Sequence, residues 1–155
     1  MPIKLPTLWI LISLILFLGC LFGPTFCTGP AFCARTTLCK SLSCSDYSGL
    51  DVLMGGWLGV LTFNLANMAW LANPLLFLSW VFIKIKMPRT AIGLICAAIL
   101  FGLLVIIFPG VETDESGTLR QIIRYGFGYY LWILSMFFSF FGALTQNFLM
   151  NKRLG

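Results

Sequence analysis

The sequence contains no histidine. Histidine is the commonest metal ligand and the usual acid–base group near neutral pH, so its absence excludes His-ligated haem, di-iron sites, most zinc sites and His-based catalysis. No Asp, Glu, Lys or Arg lies in the interior of the long apolar runs described below, and ion coupling within a membrane normally needs one. The sequence therefore predicts a protein that is not an enzyme and has no catalytic residues, metal ligands or cofactor.

Charged residues are also scarce. Asp, Glu, Lys and Arg make up 10% of the 155 residues, whereas they make up about 25% of a typical soluble domain. Hydrophobic residues reach 59%, and the mean hydropathy is +0.97. A chain with so little charge cannot cover its surface in water, so the composition predicts an integral membrane protein in which residues 1–155 form a single membrane domain.

The basic residues stand at the ends of apolar runs, although the net charge is +5. A nucleic-acid-binding protein would gather them on one face with interleaved aromatic side chains. Lysine and arginine beside apolar runs are instead topology signals, because cytoplasmic loops are enriched in them. We therefore expect membrane lipids and other membrane protein subunits as partners, and no nucleic acid. The residues at these ends are Lys4, Lys84, Lys86, Arg89, Lys152 and Arg153.

Four apolar runs predict an all-α fold, a polytopic membrane helical bundle with four transmembrane crossings. The predicted crossings are residues 5–22, 51–71 with a continuing short helix at 74–86, 91–108 and 125–144. The first run has no small-residue cleavage site behind it, so an uncleaved signal anchor is favoured over a cleaved signal peptide. The connection 109–124 mixes acidic and basic residues, and we expect it to be solvated, with a short helix at 117–124.

The central stretch, residues 50–85, decides the number of crossings. As one helix it would be about 54 Å long, too long for one straight passage through a core of about 30 Å. Asn73-Pro74 is the predicted break, because asparagine favours the N-cap, proline favours the first helical position and the residue before proline resists helix. The alternative is a tight hairpin that crosses twice and gives five crossings.

Charge counts bear on the choice between these topologies. Four crossings place six Lys and Arg residues inside and four outside, whereas five crossings place seven inside and three outside. The second count fits the enrichment of positive charge in the cytoplasm slightly better, but it puts the cysteine-rich loop in the cytosol. We therefore expect four crossings in a bacterial inner membrane, with both termini cytoplasmic.

The segment 23–49 contains four cysteines with the spacing C-x5-C-x5-C-x4-C. It lacks the paired C-x2-C knuckles of a zinc ribbon and the C-x-x-C of a thioredoxin-like site. Two Gly-Pro dipeptides and many Ser and Thr residues predict an irregular outer loop. Two structural disulfides in an oxidising compartment are predicted, with three pairings open and four free cytosolic thiols as the alternative. The disulfide candidates are Cys27, Cys33, Cys39 and Cys44.

Small and polar residues in the central stretch indicate helix contacts. Gly55 and Gly59 form a GxxxG pair, which lets another backbone approach closely, either within this chain or from another protein. Asn64 and Asn67 are three positions apart, so they share one helical face, and amides in a bilayer need partners. We predict that these four residues form a helix-contact seam and not a catalytic or transport site.

Three functions fit these features. The leading prediction is a small non-catalytic integral membrane protein that acts as an interaction or stabilising subunit of a membrane complex. One alternative is an immunity-type protein against a pore-forming toxin, because the size and helix count fit. The other is a membrane thiol–disulfide oxidoreductase, because the predicted bundle resembles the four-helix oxidoreductases of the bacterial envelope in its size and its outward cysteines.

Overall fold

The computed structural model describes residues 5–29, 45–61, 64–108, 110–112 and 119–154. The described chain is mostly helical and also contains a small antiparallel sheet. In chain order the elements are α1 Leu5–Phe22, β1 Pro24–Gly29, β2 Ser45–Ser48, α2 Gly49–Leu61, a 3-10 helix Asn67–Leu71, α3 Ala72–Lys84, α4 Pro88–Ile107, β3 Gly110–Glu112, β4 Leu119–Tyr125 and α5 Phe127–Leu154.

Three of the described helices, α1, α4 and α5, are long and apolar enough to cross a membrane. They coincide with three of the four predicted crossings and are compatible with an integral membrane protein. α1 has the predicted bounds, whereas α5 continues past the predicted end at residue 144 and has 28 residues. A helix of that length measures about 42 Å and extends past a hydrocarbon core of about 30 Å. The final turns of α5 carry the exposed residues Asn151 and Lys152, which suit a membrane surface.

The antiparallel sheet, with strand order β2-β1-β4-β3, corrects the all-α prediction. β1 and β2 lie in the segment predicted as an irregular loop, and β4 replaces the helix predicted at 117–124. Ile122, Ile123 and Tyr125 suit a strand because branched and aromatic side chains pack well on a pleated surface. The pairing that orders β4 joins Tyr125 to Phe26, a contact that local periodicity cannot reveal.

The sheet lies at one end of the helical bundle. β1 follows α1 after Gly23, β2 leads directly into α2, and β4 leads into α5 through Gly126. Glycine is required at two of these joints: a Cβ at Gly126 would collide with the backbone carbonyl of Pro24, and one at Gly49 would collide with that of Cys20. The sheet therefore holds the ends of α1, α2 and α5 close together.

The central stretch is interrupted upstream of the predicted point. α2 ends at Leu61, residues 64–66 are not helical, and the 3-10 helix then runs directly into α3. The predicted continuous helix over 51–71 is therefore wrong. Asn73 and Pro74 lie in the first turn of α3, where proline is tolerated because its missing N–H would have no partner in the helix.

The core lies between α1, α3, α4 and α5. α1 and α5 are antiparallel, since Trp9 packs on Phe141 near one end and Gly19 lies beside Leu131 near the other. The buried cluster nearer the sheet contains Phe17, Cys20, Ala72, Leu76, Ala98 and Met136. The second buried cluster contains Ile10, Ile83, Ala91, Ile95 and Ala143. The bundle is thus a packed frame whose sheet end carries α2 and the 3-10 helix.

Candidate functional site

A cavity of about 620 Å³ lies between α2, the 3-10 helix, the sheet and the sheet-side ends of the bundle helices. We call it the sub-sheet cavity. Its volume is within the range of about 300–1,000 Å³ that is common for small-molecule sites, which are usually apolar with a few polar groups. The aromatic side chains in its walls are Phe17, Phe26, Tyr47, Trp70, Tyr129 and Trp132. The sub-sheet cavity is therefore a candidate binding site for an apolar ligand.

α2 forms one wall of this cavity and makes few attachments. Of its 13 residues, all described, only Gly49 is buried. At its start, the Asp51 backbone N–H donates to Ser48 Oγ at 3.2 Å, while the N–H and hydroxyl of Ser48 donate to Asp51 Oδ2 at 3.0 and 2.6 Å. This is a capping box, and its hydrogen bonds lower the pKa of the Asp51 carboxyl, the Ser48 hydroxyl contributing most. The Trp70 indole N–H donates to the Leu53 carbonyl at 2.9 Å and ties α2 to the 3-10 helix.

Two amide side chains line the cavity and differ in their hydrogen bonding. Asn73 is 5% exposed, and its Oδ1 accepts a hydrogen bond from Trp132 Nε1 at 2.8 Å. Asn67 Nδ2 is buried and has no hydrogen-bond partner among the described residues. Leaving a buried donor without a partner costs about 1–3 kcal/mol. This donor packs against Gly59 of α2, and almost none of its surface is open to the cavity.

The four predicted helix-contact residues occupy three different settings. Gly59 faces the Asn67 side chain, because a Cβ on Gly59 would lie 2.7 Å from Asn67 Cγ. Gly55 lines the cavity, and a Cβ there would have no atom within 4 Å. Asn64 Oδ1 accepts from the backbone N–H two residues later at 2.9 Å and so stabilises the turn before the 3-10 helix. α2 meets the 3-10 helix through Gly56 and Gly59.

Sequence reasoning missed the buried serines that link the helices. Ser13, Ser79, Ser135 and Ser139 are all 0% exposed. The Ser13 hydroxyl donates to the Ser135 carbonyl at 2.6 Å, and the hydroxyls of Ser79 and Ser139 are 3.1 Å apart. Trp80 Nε1 donates to Ser13 Oγ at 3.2 Å. These bonds join α1, α3 and α5, as polar side chains do between membrane helices. An isolated serine inside an apolar run is the signal that identifies such positions.

Only one of the predicted disulfide cysteines lies in the part of the chain that the structure describes. Cys27 is 2% exposed in β1. The other three candidates lie outside the described residues: Cys33, Cys39 and Cys44. The free thiols within the described ranges belong to Cys20, which is buried, and Cys96, which is exposed. Those ranges contain no group of three or more His, Cys, Asp or Glu side chains that could hold a metal ion.

Comparison with known proteins finds no match: no family model, no curated protein and no solved structure matches this chain.

Proposed function

We propose that this chain is a non-catalytic integral membrane protein that binds another membrane protein through α2, as an interaction or stabilising subunit of a membrane complex. One observation carries the proposal: four large apolar residues lie on α2, remain exposed and do not line the sub-sheet cavity. We call them the α2 stripe: Leu50 is 44% exposed, Met54 64%, Trp57 49% and Leu61 66%.

The α2 stripe has the spacing of a helix-pairing seam. Its members follow one another after four, three and four positions, which is the repeat that lets side chains of two helices interdigitate. Aromatic residues and methionine are also enriched at the cores of protein interfaces. α2 is about 20 Å long, so it is too short to cross a core of about 30 Å, and a role as a spanning helix does not explain its apolar outer face.

We propose four crossings. Three are α1, α4 and α5, and the 3-10 helix together with α3 forms the fourth. Together these two segments contain as many residues as α1. In this arrangement the sheet lies outside, while Lys84, Lys86 and Arg89 share a side with both termini. Positive charge is enriched on the cytoplasmic side, so we assign that side to the cytoplasm. A bacterial inner membrane stays the membrane that we propose. Five crossings would require the short α2 to span.

Labelling in sealed vesicles tests this topology. Single cysteines are introduced as Lys86→Cys and Arg120→Cys in a background with Cys20→Ala and Cys96→Ala. A membrane-impermeant maleimide should label the two positions from opposite sides, because one lies between α3 and α4 and the other in β4. Labelling of both positions from the same side would contradict four crossings.

We also propose structural disulfides on the sheet side, in an oxidising compartment. Cys27 supports this proposal, because it is buried in β1 and is not one of the free thiols of the described ranges. Those free thiols are Cys20 and Cys96. Disulfides form and persist in oxidising compartments such as the bacterial periplasm. The immunity-type and thiol–disulfide oxidoreductase functions stay predictions from the sequence.

Site-specific photocrosslinking tests the proposed partner contact. A photoreactive amino acid is placed at position 57 in the α2 stripe or, as a matched control, at position 100 on α4, where Leu100 is 68% exposed. Irradiation of native membranes should give a discrete adduct with another protein at position 57 only. Trp57→Ala should then lose co-purification of that protein in gentle detergent, whereas Leu100→Ala should retain it.

Two outcomes would contradict the proposal. Equal protein adducts at both positions would mean that the α2 stripe has no special role, and only lipid adducts at position 57 would mean that it faces the bilayer. Thermal unfolding of the purified variants is the control, because Trp57→Ala changes an exposed side chain and should leave the fold unchanged.

A further inference from the structure

We propose that the turn between α3 and α4 binds the phosphate of an anionic phospholipid through three cationic side chains. We call these side chains the basic turn: Lys84, Lys86 and Arg89. The basic turn lies at the end of the bundle opposite the sheet, since a Cβ on Gly142 of α5 would lie 3.9 Å from Ile83 Cδ1 and 3.7 Å from the Pro6 carbonyl oxygen. The α2 stripe lies at the sheet end, so lipid binding and partner binding fail independently.

No acidic side chain of the bundle helices can neutralise the basic turn. All three of its side chains are exposed. The ion pair in the described ranges joins Arg124 to Asp46 at 3.9 Å, and both residues lie in the sheet. α1, α3, α4 and α5 contain no Asp or Glu. Three cations within six positions are therefore available to an anion from outside the described chain, and Lys and Arg are the usual ligands of a phosphate.

The apolar residues of the same turn favour a lipid over a soluble anion. Ile85 is 55% exposed and Met87 is 48% exposed, and both alternate with the cations along the chain. A soluble phosphate gains nothing from these side chains, whereas a phospholipid combines a phosphate with acyl chains. Basic clusters at the ends of membrane helices attract anionic head groups. The turn therefore offers a contact to each part of an anionic phospholipid.

The backbone of the turn does not account for a lysine at position 86. The Met87 N–H donates to the Phe82 carbonyl at 2.9 Å, and the Lys86 N–H donates to the Ile83 carbonyl at 3.2 Å. Lys86 has a φ of 63°, in the left-handed region where glycine is favoured at the end of a helix. Glycine would close this turn with less strain, so a role for the charge of Lys86 explains what the fold does not.

Two pairs of substitutions separate the basic turn from the overall positive charge. Lys84→Gln with Lys86→Gln removes two cations from the turn. Arg120→Gln with Arg124→Gln removes two cations from β4 and changes the net charge equally. Lys84→Arg with Lys86→Arg keeps both charges. These three double variants and the wild type are compared as full-length proteins in detergent.

Native mass spectrometry with an equimolar mixture of dioleoyl phosphatidylglycerol and dioleoyl phosphatidylcholine measures the preference. The wild type, the β4 variant and the arginine variant should retain mainly phosphatidylglycerol. The glutamine variant of the turn should lose about fivefold in the lipid ratio for each cation removed. The ratio is measured within each variant, so it does not depend on how much protein is folded. An unchanged ratio in the turn variant, or an equal loss in the β4 variant, would overturn the proposal.

Lys86→Gly tests whether the side chain acts apart from the fold. Glycine suits the φ of 63°, so this variant should unfold at a temperature no lower than the wild type and should still lose about fivefold in the lipid ratio. A full wild-type preference in Lys86→Gly would overturn the role of this lysine.

Thermal unfolding distinguishes the lipid from free phosphate, because a ligand of the folded state raises the unfolding temperature. Phosphatidylglycerol should raise it in the wild type and not in the glutamine variant of the turn, and inorganic phosphate at the same concentration should not raise it. An equal rise with inorganic phosphate would overturn the assignment to a lipid. Equal retention of both lipids by the wild type would also overturn it, and would favour an acidic protein segment as the ligand of these cations.

Discussion

The hydrogen bond between Trp132 and Asn73 is a test of how α5 and α3 are joined near the sheet. Trp132 Nε1 donates to Asn73 Oδ1 at 2.8 Å, and Asn73 is 5% exposed. Trp132→Phe removes the indole N–H and leaves Asn73 Oδ1 without its hydrogen-bond donor. Asn73→Leu removes the acceptor with a side chain of similar size. The double variant removes both, so the four proteins form a double-mutant cycle.

Two known magnitudes bound the coupling energy of this pair. Leaving a buried acceptor unpaired costs about 1–3 kcal/mol. Polar pairs between helices of a membrane protein couple by about 0.6 kcal/mol on average and about 1.7 at most. Because Asn73 is almost fully buried, we expect a coupling of about 1–1.7 kcal/mol. Trp132→Phe also alters packing on Tyr129, whose ring centroid is 5.9 Å away, but that loss cancels in the cycle.

The measurement is the free energy of unfolding, obtained by titrating a denaturing detergent into mixed micelles and following helical circular dichroism. Each single variant should be destabilised, and the double variant should lose less than the sum of the two single losses. Trp57→Phe is the matched control, because this tryptophan is 49% exposed and its change should stay within about 0.5 kcal/mol. Additive losses, or a neutral Asn73→Leu, would refute the reasoning.

Three further outcomes are expected. Gly59→Leu should lower the free energy of unfolding by about 1–3 kcal/mol, because the new side chain meets Asn67 in the same chain. Gly55→Leu should not lower it, because a Cβ at Gly55 meets open space. Equal effects of the two substitutions would contradict this contact. Alkylation of the unfolded protein without reductant, read by intact mass, should label Cys20 and Cys96 only, and four additional labels would refute the disulfides. Hydrogen bonds lower the folded-state pKa of Asp51, so the stabilisation they give α2 is present above its ordinary value of about 3.9 and is lost as the pH falls through the lowered value. The protection of α2 amides against hydrogen exchange, taken relative to the intrinsic rate at each pH, should fall in that acid range, and Asp51→Asn should abolish this fall.

The three long helices could be predicted from the sequence, because a bilayer core requires about 20 consecutive apolar residues and flanking charges mark the ends. α1 has the predicted bounds of 5–22. α4 begins three positions before the predicted 91–108, at Pro88, which occupies the first turn. Proline is favoured there, so the sequence contained this signal as well.

The sheet could not be predicted in the same way. Gly-Pro dipeptides around Thr25 and Thr28 indicated turns, yet both threonines lie in β1. β1 is ordered by pairing with β2 and β4, and Thr25 also donates its hydroxyl hydrogen to the Tyr47 carbonyl at 2.8 Å. Contacts between strands far apart in the chain decide the conformation here, and they override local composition.

The candidate contact residues were predicted from helical phase, and that reasoning fails where the helix does. Asn64 and Asn67 would share a face in one continuous helix, but the chain is not helical at 64–66. Asn67 therefore reaches Gly59 across a turn, and Asn64 bonds locally. The buried serines, by contrast, lie in uninterrupted helices, so their inward position follows from the packing of α1, α3 and α5.

The exposed face of α2 differs from that of an ordinary surface helix. Such a helix turns its large apolar residues toward the core and its small or polar ones outward. α2 turns Gly55, Gly56 and Gly59 toward the cavity and the 3-10 helix and leaves Met54 and Trp57 exposed. The glycines create the space of the cavity, because larger side chains there would fill it or push α2 away from the 3-10 helix. The exposed residues add little to the stability of the isolated chain, since burial of apolar surface is what stabilises. The contacts within this chain therefore do not account for the exposed large residues of the α2 stripe, whereas the inward-facing Leu53 packs on the core.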